Sequence, residues 1–359
     1  MDLELVILGT AGALPTIDRG TSGILLIRGG ERLLIDCGEG TQRQLMRSVG
    51  LSRIDRVFLT HFHGDHYLGL PGMLKTLSLQ ARTEPFYIFG PPGLERLFAE
   101  AARVFGRYTY PLILMEIEAG GEVQCDGYRM RAGASAHGLP GIAWCLEEDT
   151  RPGLFHPERA LALGVSAGPA FGRLQMGESV ETEEGRVVSP SDVMDAMRPG
   201  RKVVITGDTR PSADIVALAR GATVLVHDST FADSEHERAL ITHHSTAREA
   251  ATVAAEAGVT LLALTHVSSR HSVRELLQEA REVFPNTVLP RDFDRLIVPY
   301  PDKGAPWLEF SDNMGRLSAE RRPTERHSAE RRPAERRPAE RHSAERRPAE
   351  RRPDAGKSL

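Results

Sequence analysis

No stretch of eighteen or more apolar residues occurs anywhere in the 359-residue chain, and that absence excludes a transmembrane helix. Cysteine is scarce. Cys37, Cys125 and Cys145 are odd in number and far apart, which argues against a disulfide framework and against a cysteine-based zinc site. The opening Met1-Asp2-Leu3-Glu4-Leu5-Val6 has neither the basic region nor the apolar run of a secretory signal, so the reading is a cytoplasmic protein with no membrane attachment. Aromatic residues are few, at 6%. The remaining balance is globular: 40% hydrophobic and 26% charged residues suffice for a packed core.

The formal net charge of −4 conceals two unlike parts. From residue 319 to 353 a pentad, (Ala/Thr)-Glu-Arg-(Arg/His)-(Pro/Ser), is written seven times without a break. Five copies carry +1, two are neutral, and Asp354 cancels Lys357, so residues 319–359 hold +5 against −9 for residues 1–318. The repeat lacks Val, Ile, Phe, Tyr and Trp, and its prolines interrupt any helix. It cannot bury enough apolar surface to offset the entropy of ordering. Residues 318–359 are therefore expected to be a disordered tail. Interspersed glutamates dilute its positive charge, which favours a solvated repeat over a basic arm for RNA phosphates.

Upstream of the tail, apolar runs at 5–8, 24–27, 33–35, 57–59, 87–89, 203–205, 224–226 and 261–264 read as buried strands. Helical patterns lie at 41–48, 93–105, 247–257 and 272–283. Strand alternating with helix predicts a layered α/β architecture. The stretch 151–185 is rich in Gly and Pro and poor in β-branched residues; it reads as an insertion or protrusion rather than core. No linker divides the rest, which gives one domain over 1–317.

The strongest local signal is Thr60-His61-Phe62-His63-Gly64-Asp65-His66, placed where the strand-like run 56–59 ends. Three imidazoles and a carboxylate are borderline-hard ligands that suit Zn2+ and, less selectively, Mn2+ or Fe2+. In an extended chain residues 61 and 63 point the same way. Gly64 permits a sharp turn, after which Asp65 and His66 face a second position. Six residues cannot easily wrap four ligands around one ion, so two adjacent metals are the natural reading. Other strand ends offer more groups: Asp208 as a bridging carboxylate, His266, His227 with Asp228, and His137 in Ser135-Ala136-His137-Gly138. Each of these taken singly reads as readily as a structural histidine or a turn aspartate. The 61–66 cluster does not, because crowding such groups together without a metal costs charge and desolvation.

His61-Phe62-His63-Gly64-Asp65-His66 resembles the signature of the metallo-β-lactamase superfamily. Extended by Leu59-Thr60 and by Tyr67-Leu68-Gly69-Leu70-Pro71-Gly72, it is similar to the ribonuclease Z family. Leu8-Gly9-Thr10, Leu34-Ile35-Asp36-Cys37-Gly38-Glu39-Gly40-Thr41-Gln42, Gly207-Asp208-Thr209-Arg210-Pro211, Val224-Leu225-Val226-His227-Asp228-Ser229-Thr230-Phe231, His244-Ser245-Thr246 and Leu264-Thr265-His266 follow that family's order. The resemblance implies a four-layer αββα sandwich with two zinc ions at the edge of its sheets. It places His61, His63 and His137 on one zinc, Asp65, His66 and His266 on the other, and Asp208 as the bridge. It makes Asp65 a general base, and His244, oriented through Asp228, a contact to the scissile phosphate that assists the leaving oxygen. The activity implied is an endoribonuclease that hydrolyses the 3′ trailer from precursor tRNA, leaving a 3′-hydroxyl on the tRNA and a 5′-phosphate on the trailer. A homodimer is implied as well, as is a flexible arm at 151–177 that grips the tRNA elbow.

Three segments depart from the family's pattern. His227-Asp228-Ser229-Thr230 stands where bacterial members usually have His-Glu-(Ala/Ser)-Thr, so the carboxylate is one methylene shorter. Pro15-Thr16-Ile17-Asp18-Arg19-Gly20 replaces the usual Pro-x-Lys-x-Arg-Asn. The arm tip, 171–177, carries a single cation, Arg173. Two other functions compete. A superfamily hydrolase of a small phosphodiester or thioester has no need of a Gly/Pro-bounded protrusion. A metal-stabilised RNA-binding module without turnover has no need of Asp65, Asp208 and His244 together.

Overall fold

Each of the eight apolar runs forms a strand, and alternate residues are buried on opposite faces. On Leu3–Gly9, Leu5 and Ile7 face one core while Val6 and Leu8 face another. On Leu261–Thr265, Leu261 and Ala263 face the first core and Leu262 and Leu264 a third. A strand covered on both faces needs apolar residues at every position. A computed structural model describes residues 1–51 and 53–311; the expected disordered tail over 318–359 lies outside the described residues.

The strands build two large mixed sheets and, in the insertion, a two-stranded one of Val180–Glu181 and Val187–Val188. The first runs Trp307–Glu309, Arg295–Ile297, Leu3–Gly9, Gly23–Arg28, Glu31–Ile35, Ile54–Phe58, Phe86–Gly90 and Leu112–Glu116. The second runs Thr287–Val288, Leu261–Thr265, Val224–Asp228, Lys202–Ile205, Ile142–Glu148, Tyr128–Ala134 and Glu122–Cys125. Between them Ile7, Leu26, Phe58 and Phe89 meet Met130, Trp144, Val203 and Val226. Residues of the helices Thr41–Ser48, Leu70–Leu79 and Leu94–Glu100 cover the outer face of the first sheet. Those of Ala213–Ala219, Ala247–Ala257 and Val273–Val283 cover the second. The result is the four-layer αββα sandwich. The helix expected over 93–105 is two, Leu94–Glu100 and Ala102–Phe105: the buried stripe of Leu94 and Phe98 is not continued by Ala102 and Arg103, which are exposed. Among the described residues no helix is long and apolar enough to cross a membrane.

The insertion leaves the second sheet after Glu148 and returns at Arg201. Arg151 and Arg198 exchange both backbone hydrogen bonds, at 2.7 and 2.8 Å, and form its root. Beyond them Ala160, Val165, Leu174, Val180, Val188 and Val193 make a small core of their own. The excursion thus runs past the 151–185 read from composition, because Val188 and Val193 complete that core.

At the same edge three charges are buried together. Arg201 grips Glu148 through Nη2 and Nε at 2.7 and 2.8 Å, and Arg28 reaches it from the first sheet at 2.9 Å. Burial would raise the Glu148 carboxyl, and Arg201 and Arg28 reverse that, holding it below its ordinary value. Its stabilising contribution is therefore present above the unfolded value of about 4.3 and lost as pH falls through the lower folded one. Glu148→Gln strands two buried guanidiniums and is expected to cost about 3–5 kcal/mol in urea unfolding at neutral pH. The loss should shrink below pH ~4. An unfolding midpoint equal to that of the parent would overturn the assignment.

Candidate active site

Parallel pairing of Lys202–Ile205, Val224–Asp228 and Leu261–Thr265 brings three strand ends to one edge. The end of Ile54–Phe58 joins them from the other sheet, where Thr60 O accepts the Ile142 N–H at 2.8 Å. Gly207 has φ 60, and a Cβ there would lie 2.6 Å from that of Thr60. Only glycine lets the chain turn so closely and present Asp208. His63 has extended backbone, and the helical turn Gly64–Tyr67 then carries Asp65 and His66.

Three groups of ligand atoms result, each with its members within 4.8 Å of one another: His61, His63, His137 and Asp208; Asp65, His66 and His266; and, overlapping both, Asp208, Asp228, His244 and His266. Asp208 reaches the first two. Its Oδ2 lies 3.5 Å from His61 Nε2, and its Oδ1 lies 3.3 Å from the Nε2 atoms of both His66 and His266. Asp65 Oδ2 is 3.3 Å from His266 Nε2 and 3.5 Å from His66 Nε2.

The ring orientations follow from what the other nitrogen does. His61 Nδ1 bonds Thr60 Oγ1 at 3.0 Å, His66 Nδ1 bonds Asp36 Oδ2 at 2.7 Å, His137 Nδ1 bonds His243 O at 2.9 Å and His266 Nδ1 bonds Thr230 Oγ1 at 2.8 Å. With each Nδ1–H donating to oxygen, the Nε2 lone pairs face inward. His63 instead turns Nδ1 inward, 3.1 Å from the Nε2 atoms of both His61 and His137. One ring nitrogen offers one proton or one lone pair, so it cannot satisfy both. His66 Nε2 and Asp208 Oδ1 are buried without a hydrogen-bond partner. Convergent lone pairs and orphaned buried atoms fit metal ions, and nitrogen with oxygen donors fits zinc.

Charge is arranged to match. Burial raises Asp208, but His266, His66 and His61 hold it well below the usual carboxylate range. Asp65 is likewise held low: burial works against it, and His266 and His66 prevail. His61 is pushed well below its ordinary value, chiefly by burial.

The third group lies alongside. His244 Nδ1 is 2.8 Å from Asp228 Oδ2, so the shorter aspartate does span the gap. Asp228 is fully buried and also accepts the backbone N–H groups of Thr209 and Thr230 at 3.1 and 2.9 Å and the Thr230 hydroxyl at 2.6 Å. Burial opposes a charge on His244, and Asp228 outweighs it, raising the imidazole to about 9. The His244 ring stacks on His266 and lies 5.1 Å from both His266 and His137, a member of each metal group. His227, by contrast, is buried away from them and bonds its neighbour's carbonyl at 2.8 Å.

Asp36 and Thr230 orient His66 and His266 from outside the histidine and aspartate cluster. Asp36 follows an apolar strand just as Asp208 does, and that was the available signal. Its φ is 56, that of His266 is 59, and both are rare conformations for residues with a Cβ. Thr230 gave no signal, since a threonine that couples His266 to Asp228 looks like any other threonine. Arg210 is paired with Glu249 at 2.8 Å.

The model of the metallo-beta-lactamase superfamily matches residues 17–285. Ribonuclease Z of Myxococcus xanthus is 47% identical over 289 residues, covering 80% of this chain and 94% of that protein. Ribonuclease Z of Halorubrum lacusprofundi is 47% identical over 307 residues, covering 84% and 99%. Among solved structures, the short form of human tRNase Z has a TM-score of 0.59 at 26% identity over 82% of this chain and 99% of that one. The metallo-beta-lactamase fold protein YhfI of Bacillus subtilis, with a TM-score of 0.62 at 18% identity and coverage of 82% and 99%, shares the fold. Histidine and aspartate groups on this framework mark a metal-dependent enzyme. On a superfamily match spanning most of the chain and relatives alike over nearly their whole length, the chain belongs to the metallo-beta-lactamase superfamily and, within it, to the ribonuclease Z family of hydrolytic endoribonucleases.

Proposed function

We propose that this enzyme is a cytoplasmic, homodimeric, zinc-dependent endoribonuclease that removes the 3′ trailer of precursor tRNA. The observation that carries the reading is His244: a cationic proton donor fixed by Asp228 and flanked by one histidine of each metal group. His61, His63 and His137 would hold one zinc, Asp65, His66 and His266 the other, with Asp208 shared. Zinc held there would supply Lewis-acid neutralisation of the charge on the phosphate and would make the attacking water more acidic. Asp65, kept charged, accepts the hydrogen bond of the attacking water, orients it and takes its proton. As the new bond to phosphorus forms, the bond to the 3′ oxygen breaks, and His244 gives its Nε2 proton to that oxygen. The products are a tRNA 3′-hydroxyl and a trailer 5′-phosphate. Incubation with a 3′-extended precursor tRNA, with both product ends mapped, tests this. Turnover of a small phosphodiester or thioester without tRNA cleavage would overturn it, as would tRNA binding without cleavage.

The insertion is assigned to gripping the tRNA elbow, its tip within 151–177. Residues 168–177 carry no histidine and no carboxylate. Deleting residues 168–177 removes the helix Pro169–Gln175 and Leu174 from the small core. Cleavage of precursor tRNA is expected to fall at least about tenfold, since binding energy from remote parts of a substrate is lost. Hydrolysis of a small chromogenic phosphodiester should stay within about twofold. Equal losses on both substrates would show that the segment supports the catalytic centre instead.

A further inference from the structure

The two chains of the insertion's root are joined by one carboxylate that belongs to neither. Asp302 receives Arg151 Nη2 on Oδ1 and Arg198 Nη1 on Oδ2, the latter at 2.8 Å. Arg151 and Arg198 are the pair that exchange backbone hydrogen bonds where the insertion begins and ends. Arg198 Nε also donates to Pro152 O at 3.0 Å, tying the root across. The Arg151 guanidinium lies 3.5 Å from the centre of the Tyr300 ring, and buried Arg201 lies 4.1 Å from it. The 300–303 turn, closed by Lys303 N on Tyr300 O at 2.8 Å, is anchored to the body: Val298 N bonds Leu3 O, and Val298 O accepts Arg201 Nη1.

We propose that Asp302 is a positioning residue that latches both root chains of the insertion to the body and so fixes the direction in which the insertion projects. The proposal rests on the reading that the insertion grips tRNA. Two backbone crossings alone leave such a subdomain free to swing about its root. A carboxylate that takes one guanidinium from each crossing, with Tyr300 beneath the first, removes that freedom. Its place is far from the chemistry. Ile142–Glu148 runs from the catalytic edge to the root, and its seven residues span roughly 20 Å. Exposed ion pairs add little to global stability, so the role of Asp302 is geometric.

The test uses four forms: the full-length parent, Asp302→Ala, Asp302→Glu and the deletion of 168–177. Amide exchange is followed by mass spectrometry in peptides covering 149–156 and 193–200. Kinetics are measured on precursor tRNA and on a small chromogenic phosphodiester. Asp302→Ala should exchange faster in both root peptides and raise KM for precursor tRNA by about 3- to 10-fold. Its kcat, and turnover of the small ester, should remain within about twofold. Asp302→Glu should recover most of both losses, which a role in mere folding would not predict. Unchanged root exchange overturns the latch. Faster exchange with unchanged KM overturns its positioning role, provided that deletion of 168–177 does raise KM. If that deletion leaves KM unchanged, the tRNA-grip reading falls instead, and root exchange alone decides the latch.

Discussion

Asp208→Ala is expected to lose at least about 10³-fold in kcat/KM on precursor tRNA, more than His137→Ala. Removing one charge-stabilising donor from an active site costs about 10²–10³-fold. Asp208 serves two groups at once, through Oδ2 toward His61 and Oδ1 toward His66 and His266. It is also the buried anion that faces these imidazoles, so its loss removes a ligand and a counter-charge together. His137 belongs to one group and is partly exposed. His137→Ala should weaken metal retention by at least about 10- to 100-fold, the range already seen when only an outer partner of a metal ligand is removed. The parent should hold about two metals per chain by elemental analysis, Asp208→Ala far fewer, and His137→Ala an intermediate number. Fully active protein without metal would end the metal reading, and equal metal content in the two variants would end the bridging role.

Half of this centre could be read from residues that lie near one another in sequence or announce their chemistry. His61, His63, Asp65 and His66 share one strand end, and the period of two in extended chain followed by a glycine turn separates them into two positions. The inner strands were legible for a related reason: Lys202–Ile205, Val224–Asp228 and Leu261–Thr265 are buried on both faces, so they stand out as unbroken apolar runs. Tyr128–Ala134 was not legible. Tyr128, Met130 and Ala132 enter the core, but Arg129 and Arg131 lie between them, because this strand's outer face meets water. The orienting partners were hidden by a different cause. Asp36 and Thr230 hold imidazoles through single hydrogen bonds across 30 and 36 residues, and no spacing rule reports a contact of that length. The Arg28–Glu148–Arg201 cluster is hidden for the same reason, since it forms only when two sheets have stacked.

His244→Ala should lower the single-turnover rate on precursor tRNA by about 10²–10⁴-fold, the range for loss of a positioned proton donor. The leaving group decides whether proton donation is the cause. A ribose 3′ oxygen departs as a strongly basic alkoxide unless it is protonated, whereas a nitrophenolate departs without help. His244→Ala should therefore cost less than about tenfold on a nitrophenyl phosphodiester. An equal loss on both substrates would make His244 a phosphate-binding group rather than an acid. Asp228→Asn keeps the shape of the buried side chain but leaves one acceptor oxygen for Thr209 N and Thr230 N, which donate to different oxygens of the aspartate, and it removes the charge that holds the His244 imidazole protonated. It should lower the tRNA rate by about 10- to 100-fold, with the same relief on the nitrophenyl ester. Because Asp228 is proposed to act through His244, the double variant should be little slower than His244→Ala alone, a non-additivity expected of residues working as a unit. Additive losses would separate them. In that case the 2.8 Å contact between Asp228 and His244 would be structural, and the aspartate's role would lie with Thr230 and the orientation of His266.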